Sequence, residues 1–401
     1  MSKKVLVIAG GEWQVPLIRR ISELGYQVYN ANLYPDSPGF AYANGSFVAN
    51  VLDREANLRY AREIRPDAVM TDESDVAVPT VAFLADRLGL RGIGEDKAAL
   101  FTDKHLMREF CRTHGFASPE FRLCGKLEEA EAFLAEHGRM ILKPIDNQAS
   151  LGVFLIEDPA ELREKFEQTM SFSRRDKTVL AEQYIEGREF TVDSIVVNGK
   201  CTSLAASLKY QYAHNPNVTQ ILYFTNESAE YDLDLLRRNN ERLVEAMGLP
   251  FGITHAEYKY MDGRFYLIEI AARGGGTRIS SHLVPLMSGV DNSRILIEQA
   301  LGSTEEYDAA PRREYGNRKA VLEFLSFPEG VVKSIDGLEE AGKLPGVIEI
   351  RLNFQVGDTL RNASDDRTRS GFFIAWGESA EALDALRDRV KRTLRIEICN
   401  E

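Results

Sequence analysis

The first hundred residues alternate short apolar runs with apolar positions at helical spacing. The runs 4–10, 26–32 and 67–71 predict buried strands, while the apolar positions within 17–24 and 78–90 recur on one face of a helix. Strands that alternate with helices are typical of a parallel sheet that is covered on both faces. The pattern therefore predicts an α/β domain at the start of the chain.

After about residue 100 the pattern becomes mixed. A helix is predicted over 103–115, then a strand, a polar loop and a second strand over 139–158, and further strands over 178–207. The end of the chain combines apolar strands with a helix over 380–394. This part of the pattern predicts a small α+β unit.

The stretch "EYKYMDGRFYLIEIAARGGG" predicts a β-hairpin that carries two glutamates, Glu257 and Glu269. Gly263 suits the last position of a three-residue loop, where a left-handed conformation is needed, so Tyr260 is expected to pair with Arg264. Because strand side chains alternate, this register puts Glu257 and Glu269 on one face of the sheet. A two-residue loop would send them to opposite faces.

Two carboxylates on one face repel each other unless a cation lies between them. Mg²⁺ suits such a site because it takes oxygen ligands and keeps waters or phosphate oxygens in its shell. His255 and Arg273 are expected on the same face, where Arg273 adds a donor for an anionic group beside the metal. From these residues alone, an exposed sheet face with salt-bridged glutamates is an equal alternative.

Three other segments carry chemistry that a nucleotide could use. Lys143 ends an apolar strand, and the small-residue loop 147–153 could bind phosphates through its backbone amides. The connector 181–189 could offer backbone groups to an adenine edge and carboxylates to a ribose. A polar aromatic loop is predicted over 209–218, where it would cover the pocket. Each segment also fits an ordinary role as an edge lysine, a hairpin connection or a surface loop.

Composition and two motif searches narrow the function classes. A net charge of −12 argues against nucleic acid as the main partner, and no apolar run reaches the roughly 20 residues that span a membrane. Four scattered cysteines and a start without a signal peptide fit a cytoplasmic chain without a zinc site. The chain opens without the G-x-G-x-x-G fingerprint of NAD-binding domains. The segment 337–344 lacks the hydroxyl of a P-loop, follows no predicted strand, and is interpreted as a helix with a glycine cap.

The chain resembles the ATP-grasp enzymes in an ordered set of features: Lys104, Lys143, the loop through Gly152, "EQYIEGRE", Glu257, Glu269 and Arg273. "GEWQVPLIRRISELGYQVYNANLYPDSPG" resembles the domain that precedes ATP-grasp folds, and "FPEGVVKSIDGLEEAGKLPGVIEI" resembles the C-terminal domain of the biotin-carboxylase-like branch. "ITHAEYKY" and "EIAARGGGTRISSHLVPLMSGVD" look closest to L-amino-acid ligases and phosphoribosylglycinamide-synthetase-like members.

This resemblance implies a combined α/β and α+β fold with three domains. They are a Rossmann-like pre-ATP-grasp domain over 1–100, an ATP-grasp domain over 101–305 with a mobile lid at about 138–205, and an α+β domain over 306–401. Two departures from the family pattern concern the site. Ala271 stands where many members have a metal-binding asparagine, so that one metal is held more loosely or through water. The lid is also poorer in glycine.

The resemblance further implies a role for each site residue. These roles are phosphate neutralisation by Lys104 and Lys143; lid closure at Ser150 and Gly152; adenine binding by Glu182, Gln183, Tyr184 and Ile185; ribose binding by Glu189; Mg²⁺ or Mn²⁺ binding by Glu257 and Glu269; phosphoryl-group stabilisation by Arg273; and substrate binding or catalysis by Arg278 and His255.

The expected activity is that of an ATP-dependent carboxylate–amine ligase. ATP converts a small carboxylate, such as an amino acid, into an acyl phosphate, and an amine then displaces phosphate to form an amide. Homodimerisation is implied by the resemblance only. Two alternatives stay open: a ligase that activates bicarbonate through carboxyphosphate, and a nucleotide-binding regulatory protein without turnover. The sequence does not name the two substrates.

Overall fold

The computed structural model describes residues 2–145, 152–173 and 177–399. Ser150 and most of the predicted lid loop lie outside the described residues. The strands of the described residues form four sheets. In these same residues we find no helix with the length and apolarity that a membrane crossing requires.

The N-terminal part is the α/β layer that the alternating pattern predicts. Its elements are β1 (Lys4–Ile8), α1 (Val15–Glu23), β2 (Gln27–Asn32), β3 (Gly45–Val48), α2 (Arg54–Ile64), β4 (Ala68–Met70), α3 (Val78–Leu88) and α4 (Glu95–Leu100). The strand order is β3-β2-β1-β4, and every pairing is parallel. Val5 to Ile8 are all buried, because helices cover both faces of a parallel sheet.

The middle of the chain forms two antiparallel sheets with helices. Its elements are α5 (Lys104–His114), β5 (Phe121–Cys124), α6 (Leu127–His137), β6 (Met140–Pro144), β7 (Phe154–Ile156), α7 (Pro159–Ser171), β8 (Val179–Gln183), β9 (Glu189–Val197), β10 (Lys200–Tyr212), β11 (Asn215–Phe224), α8 (Leu233–Ala246), β12 (Gly252–Met261), β13 (Arg264–Ala271), α9 (Val284–Ser288) and α10 (Asn292–Ala300). The smaller sheet has the order β5-β8-β6-β7 and carries Lys143 on β6.

The C-terminal part contributes to two sheets. Its elements are β14 (Lys319–Phe324), β15 (Gly330–Asp336), α11 (Leu338–Gly342), β16 (Val347–Leu352), β17 (Thr359–Leu360), β18 (Gly371–Gly377), α12 (Ala380–Thr393) and β19 (Arg395–Cys399). Strands β14, β18 and β16 continue the large antiparallel sheet, whose order is β13-β12-β9-β10-β11-β14-β18-β16. The remaining strands form a separate sheet in the order β17-β15-β19. The large sheet therefore joins the middle and the end of the chain.

Two local predictions are wrong. The segment 209–218 is not a covering loop, because it belongs to β10 and β11 and pairs within the large sheet. The helix predicted in 337–344 is present as α11, but a strand, β15, does precede it. In both cases the strand was not predicted because polar side chains alternate along it. One face of each strand borders other charged groups or solvent.

The turn of the glutamate hairpin also differs from the prediction. Met261 pairs with Arg264, so the loop consists of two residues, Asp262 and Gly263, rather than three. Both residues have a positive φ, 51° at Asp262 and 79° at Gly263, as a type I′ turn requires. The predicted pairing of Tyr260 with Arg264 is therefore wrong, and a regular hairpin from this turn would separate the two glutamates.

A β-bulge nevertheless puts Glu257 and Glu269 on one face, as the predicted three-residue loop implied. Tyr258 pairs with Leu267, but Glu257 pairs with Glu269, so Ile268 is an extra residue on β13. The extra residue reverses the alternation of β13 beyond it. As a result Glu257 and Glu269 lie directly opposite each other on one face, although the route to this position was not predicted.

Candidate active site

The two opposed glutamates each contact a different buried lysine. Lys104 Nζ lies 2.8 Å from Glu269 Oε1, and Lys209 Nζ lies 3.2 Å from Glu257 Oε1. Lys104 comes from the first turn of α5, which Asp103 caps by accepting a hydrogen bond from the Leu106 N–H. A helix end and a neighbouring strand thus bring positive charge to the two carboxylates.

These pairings fix the charge of both lysines and of Glu257. Burial opposes the charged form of Lys104, but Glu269 outweighs it and raises the pKa of Lys104 above its ordinary value. Burial likewise opposes the charge of Lys209, and Glu189 and Glu257 raise its pKa. The pKa of Glu257 lies well below its usual range despite burial, because Lys209 and His255 favour the carboxylate. Both lysines and Glu257 are therefore charged near neutral pH.

Lys143 and Arg108 share one carboxylate. Lys143 Nζ lies 2.7 Å from Glu182 Oε2, and Arg108 Nε lies 2.9 Å from Glu182 Oε1. All three side chains are buried. Burial and the nearby Arg108 and Lys104 lower the pKa of Lys143 to about 8, although Glu182 opposes them. Lys143 is thus the cation of the site whose charge is lost most easily.

The predicted adenine segment follows β8. The carboxylate of Glu182 is committed to Arg108 and Lys143, so a base could contact this residue only through the backbone. The Gln183 N–H already donates to the Glu120 carbonyl at 2.8 Å. Ile185 is buried, and the Tyr184 ring lies between Arg139 and Lys259, whose cationic groups are 4.9 and 4.7 Å from the ring centre.

The predicted ribose residue, Glu189, faces β10. Its paired residue is Lys209, whose ammonium contacts Glu189 Oε1, and Gln211 Nε2 donates to Glu189 Oε2 at 3.2 Å. Lys209 therefore bridges Glu189 and the proposed metal ligand Glu257. This bridge connects the predicted ribose and metal positions.

His255 lies between two acids. Its Nδ1 is 2.9 Å from Asp193 Oδ1, and its Nε2 is 3.8 Å from Glu257 Oε1. Burial lowers the pKa of His255, but Asp193 and Glu257 outweigh this effect and raise it to about 9. The imidazole is therefore cationic near neutral pH, which suits the positioning of Glu257 better than acceptance of a proton.

Arg273 is held by an acid of the N-terminal part. Its Nε and Nη2 donate to the two oxygens of Asp75 at 2.8 and 2.6 Å, and its Nη1 donates to the Gly274 carbonyl at 2.9 Å. Burial would raise the pKa of Asp75, but Arg273 keeps it below its ordinary value. This bidentate contact fixes the plane of the guanidinium beside the glutamates.

Arg278 is already surrounded by carboxylates of the protein. Its Nε donates to Glu349 Oε2 at 3.0 Å, its Nη1 donates to the Glu12 carbonyl at 3.2 Å, and the guanidinium lies 5.2 Å from the Trp13 ring centre. The backbone of Arg278 is left-handed, with φ of 67°. A substrate carboxylate would have to compete with Glu349 for this side chain.

The donor set fits a metal that shares ligands with a nucleotide. Among the described residues no group of three or more acidic, histidine or cysteine side chains is placed to hold a metal alone. Two carboxylates, Glu257 and Glu269, suit Mg²⁺ that keeps phosphate oxygens and waters as its other ligands. Ala271 pairs with His255 and has no side-chain oxygen to add. The site therefore fits Mg²⁺ together with phosphates.

Of the predicted phosphate-binding loop 147–153, the structure describes only residues 152 and 153. Gly152 has φ of 74°, and a Cβ there would lie 2.6 Å from the Phe172 ring. Only glycine fits this close approach without strain. The lid function of Ser150 and Gly152 stays a prediction.

Four residues of the site were not predicted. Arg108 stands four positions after Lys104, a spacing that puts both on one helix face and could have identified it. Lys209 falls within the segment that is predicted as a loop. Asp75 and Asp193 could not be identified from the sequence, because their partners, Arg273 and His255, are distant in sequence.

Comparisons with known proteins identify two domain families in this chain. The family described as "ATP-grasp domain" matches residues 137–281, and the family described as "L-amino acid ligase C-terminal domain 2" matches residues 323–398. Dapdiamide A synthase of Enterobacter agglomerans is 28% identical over 315 residues, which cover 75% of this chain and 73% of that protein.

Two solved structures share the fold. An L-amino acid ligase from Bacillus licheniformis has a TM-score of 0.82 at 21% identity, covering 100% of this chain and 99% of that chain. The biotin carboxylase domain of the Hydrogenobacter thermophilus 2-oxoglutarate carboxylase, in complex with MgADP and bicarbonate, has a TM-score of 0.75 at 18% identity, covering 99% of this chain and 91% of that chain. The chain therefore contains an ATP-grasp domain followed by a C-terminal domain of the kind found in L-amino acid ligases.

Proposed function

We propose that the protein is an ATP-dependent carboxylate–amine ligase that acts on an amino acid or another small carboxylate. The observation that carries this proposal is the pair Glu257 and Glu269, directly opposed and each in contact with a lysine, with Arg273 held beside them. The relative named for making dapdiamide A and the L-amino acid ligase domain support an amide product.

The chemistry requires two anions to meet. A carboxylate oxygen attacks the γ-phosphorus of ATP, the bond from that phosphorus to the β-phosphate oxygen breaks, and ADP leaves. An amine then attacks the acyl carbon, phosphate departs, and the amine loses a proton. Bound Mg²⁺ would offset charge on the phosphates. Lys104, Lys143 and Arg273 offset the rest, and Arg273 is best placed to favour the charge that develops during transfer.

The proposal is tested by a phosphate-release screen with ATP, Mg²⁺ and amino acids offered singly and in pairs. We expect ADP and phosphate only with a productive acid, and an amide only when an amine is added. Hydroxylamine should trap the acyl phosphate as a hydroxamate. Formation of AMP and pyrophosphate would contradict the acyl-phosphate route.

Two controls separate the alternatives. ATP consumption that depends on bicarbonate, and not on an added carboxylate, would favour carboxyphosphate formation. ATP binding without turnover under every substrate mixture would favour a regulatory protein. A Glu269→Gln variant should bind ATP and lose turnover, so that contaminating ATPase activity is identified. A cytoplasmic location, the absence of nucleic-acid binding and a homodimer stay predictions.

A further inference from the structure

Helix α5 holds strand β13 at two consecutive residues. Lys104 and Arg108 are four positions apart, so they lie on one side of the helix. Lys104 Nζ contacts Glu269 Oε1 at 2.8 Å, and Arg108 Nη2 donates to the carbonyl of Ile268, the extra residue of the bulge. One helix thus contacts both the bulge and the glutamate that the bulge orients.

The bulge needs such support. An inserted residue interrupts the ladder, and its backbone groups need partners from elsewhere. Strand β13 ends the large sheet, so within the described ranges no further strand pairs with its outer edge. Instead, the Leu267 N–H donates to the Ala117 carbonyl at 2.9 Å, just beyond α5. A slip to the regular register would turn Glu269 toward the opposite face from Glu257.

Stability alone does not account for an arginine at position 108. The side chain is fully buried, and its Nη1 has no hydrogen-bond partner among the described residues. Nε lies 2.9 Å from Glu182 Oε1 but makes no aligned hydrogen bond. A buried cation with unsatisfied donors is costly, and an apolar side chain of similar size would avoid that cost.

We propose that Arg108 is a positioning residue that holds the bulge at Ile268 and so keeps Glu269 opposite Glu257 for joint binding of metal and nucleotide. It acts through the backbone of β13 and is linked to the nucleotide side through Glu182. The inference rests on the proposed function, because it takes Glu257 and Glu269 as the metal ligands.

The test measures ADP binding by calorimetry in EDTA and again in saturating Mg²⁺. The Kd in EDTA divided by the Kd in Mg²⁺ reports how strongly the metal and the nucleotide assist each other's binding. This ratio is measured without any turnover. Arg108→Lys keeps one charge, which reaches either Glu182 or the Ile268 carbonyl but not both. We expect the ratio to fall about tenfold, as for other groups that orient metal ligands, while Kd in EDTA changes less than twofold.

Arg112→Lys is the matched control. Arg112 lies one turn further along α5, is 69% exposed, and contacts Glu109 and the Phe121 ring rather than β13 or Glu182, so both Kd values should stay unchanged. A raised Kd in EDTA with an unchanged ratio in Arg108→Lys would overturn the inference, because Arg108 would then serve only Glu182. If the unaltered protein shows no Mg²⁺ effect on ADP binding, the proposed metal ligands themselves are wrong.

A second pair of variants covers poor folding of Arg108→Lys. Glu182→Gln is compared with Glu182→Gln/Arg108→Met, since removing both charges leaves no unpaired guanidinium or carboxylate between them. We expect the Mg²⁺ effect on ADP binding to fall only when Arg108 is also replaced. Equal effects in the two variants would overturn the inference.

Discussion

At the scale of single residues, the site is a set of cations that are each matched to a carboxylate of the protein. Lys104 contacts Glu269, Lys143 contacts Glu182, and both lysines are almost fully buried. Phosphates that enter such a site add negative charge next to these lysines. The protonated form of the lysine with the lowest pKa should be stabilised most by that negative charge, because it is the least stabilised before the phosphates bind.

Lys143 should therefore make nucleotide binding depend on pH. Its pKa is lowered to about 8, so the free enzyme loses this charge as pH rises through 8 and keeps it below. We expect the Kd of ATP, measured by calorimetry in Mg²⁺, to rise up to about tenfold between pH 7.5 and 9.

Lys143→Met is the control for this pH effect, since His255, with a pKa of about 9, also titrates nearby. The variant should bind ATP weakly at every pH and lack the rise above pH 8. A rise that survives in Lys143→Met would assign the effect to His255 instead.

Arg273→Lys should lower kcat by on the order of 10², the usual cost of losing one preorganised donor. A lysine keeps the charge but cannot reproduce the two-oxygen contact with Asp75 at 2.8 and 2.6 Å. Steady-state kinetics should show a much smaller change in KM for ATP, and hydroxamate trapping should fall in proportion to kcat. Intact kcat with a raised KM for ATP alone would show that Arg273 only binds nucleotide.

At the scale of elements, the glutamate hairpin shows what a sequence can and cannot reveal. The alternation of polar and apolar residues correctly predicts β12 and β13, but the shared face of Glu257 and Glu269 results from the bulge and not from the predicted turn. The predicted turn is wrong, because "MDGR" permits both a two-residue and a three-residue loop. The bulge at Ile268 could not be predicted, since its partner, Arg108, is 160 residues away in sequence.

The same reasoning explains Lys209, which the sequence pattern wrongly predicts in a loop. Polar residues on β10 face other charged groups inside the site rather than solvent, so the pattern "KYQY" does not look like a buried strand. Only pairing with β9 shows that Lys209 lies beside Glu189 and near Glu257. Strands are predictable where one face is apolar, and they are missed where both faces carry polar residues.

Lys209→Met tests the bridge between the ribose and metal positions. Removing Lys209 leaves Glu189 and Glu257 without this cation. Breaking a buried pair in this way lowers the free energy of unfolding by on the order of 3 kcal/mol. We expect a lower Tm, and MgADP should narrow the difference from the unaltered protein, because bound metal restores positive charge at Glu257.

The control for this stability effect is Lys343→Met, which removes an exposed pair with Glu339 on α11. The Tm of this variant should differ little from that of the unaltered protein, with or without MgADP, because an exposed ion pair contributes little to stability. A Tm difference in Lys209→Met that MgADP leaves unaltered would argue against Glu257 as a metal ligand.

At the scale of the whole molecule, the site is assembled from all three parts of the chain. Asp75 of the N-terminal part holds Arg273, and Glu349 of β16 holds Arg278. The family matches confirm the overall fold, whereas contacts between the parts could not be predicted because no local pattern encodes them. The predicted domain limits at 100 and 305 stay predictions, and the large sheet continues across the second of them.

The contact between Arg278 and Glu349 tests whether the C-terminal part tunes substrate binding. Glu349 Oε2 accepts from Arg278 Nε at 3.0 Å, and both side chains are largely shielded from solvent. If Arg278 binds the substrate carboxylate, Glu349 is its competitor. Glu349→Gln should then lower KM for the carboxylate several-fold, a change within the range of a partly buried charged contact. Arg278→Lys should raise KM, because it loses the planar fork.

Steady-state kinetics at saturating ATP would measure both variants, with the substrate found in the phosphate-release screen. KM for ATP serves as the internal reference, since neither residue contacts Lys104, Lys143 or Glu257 among the described contacts. A higher KM for the carboxylate in Glu349→Gln would mean that Glu349 orients Arg278 rather than competing for it. Unchanged KM in both variants would place the substrate carboxylate elsewhere, because a guanidinium that binds it could not be altered without loss of affinity.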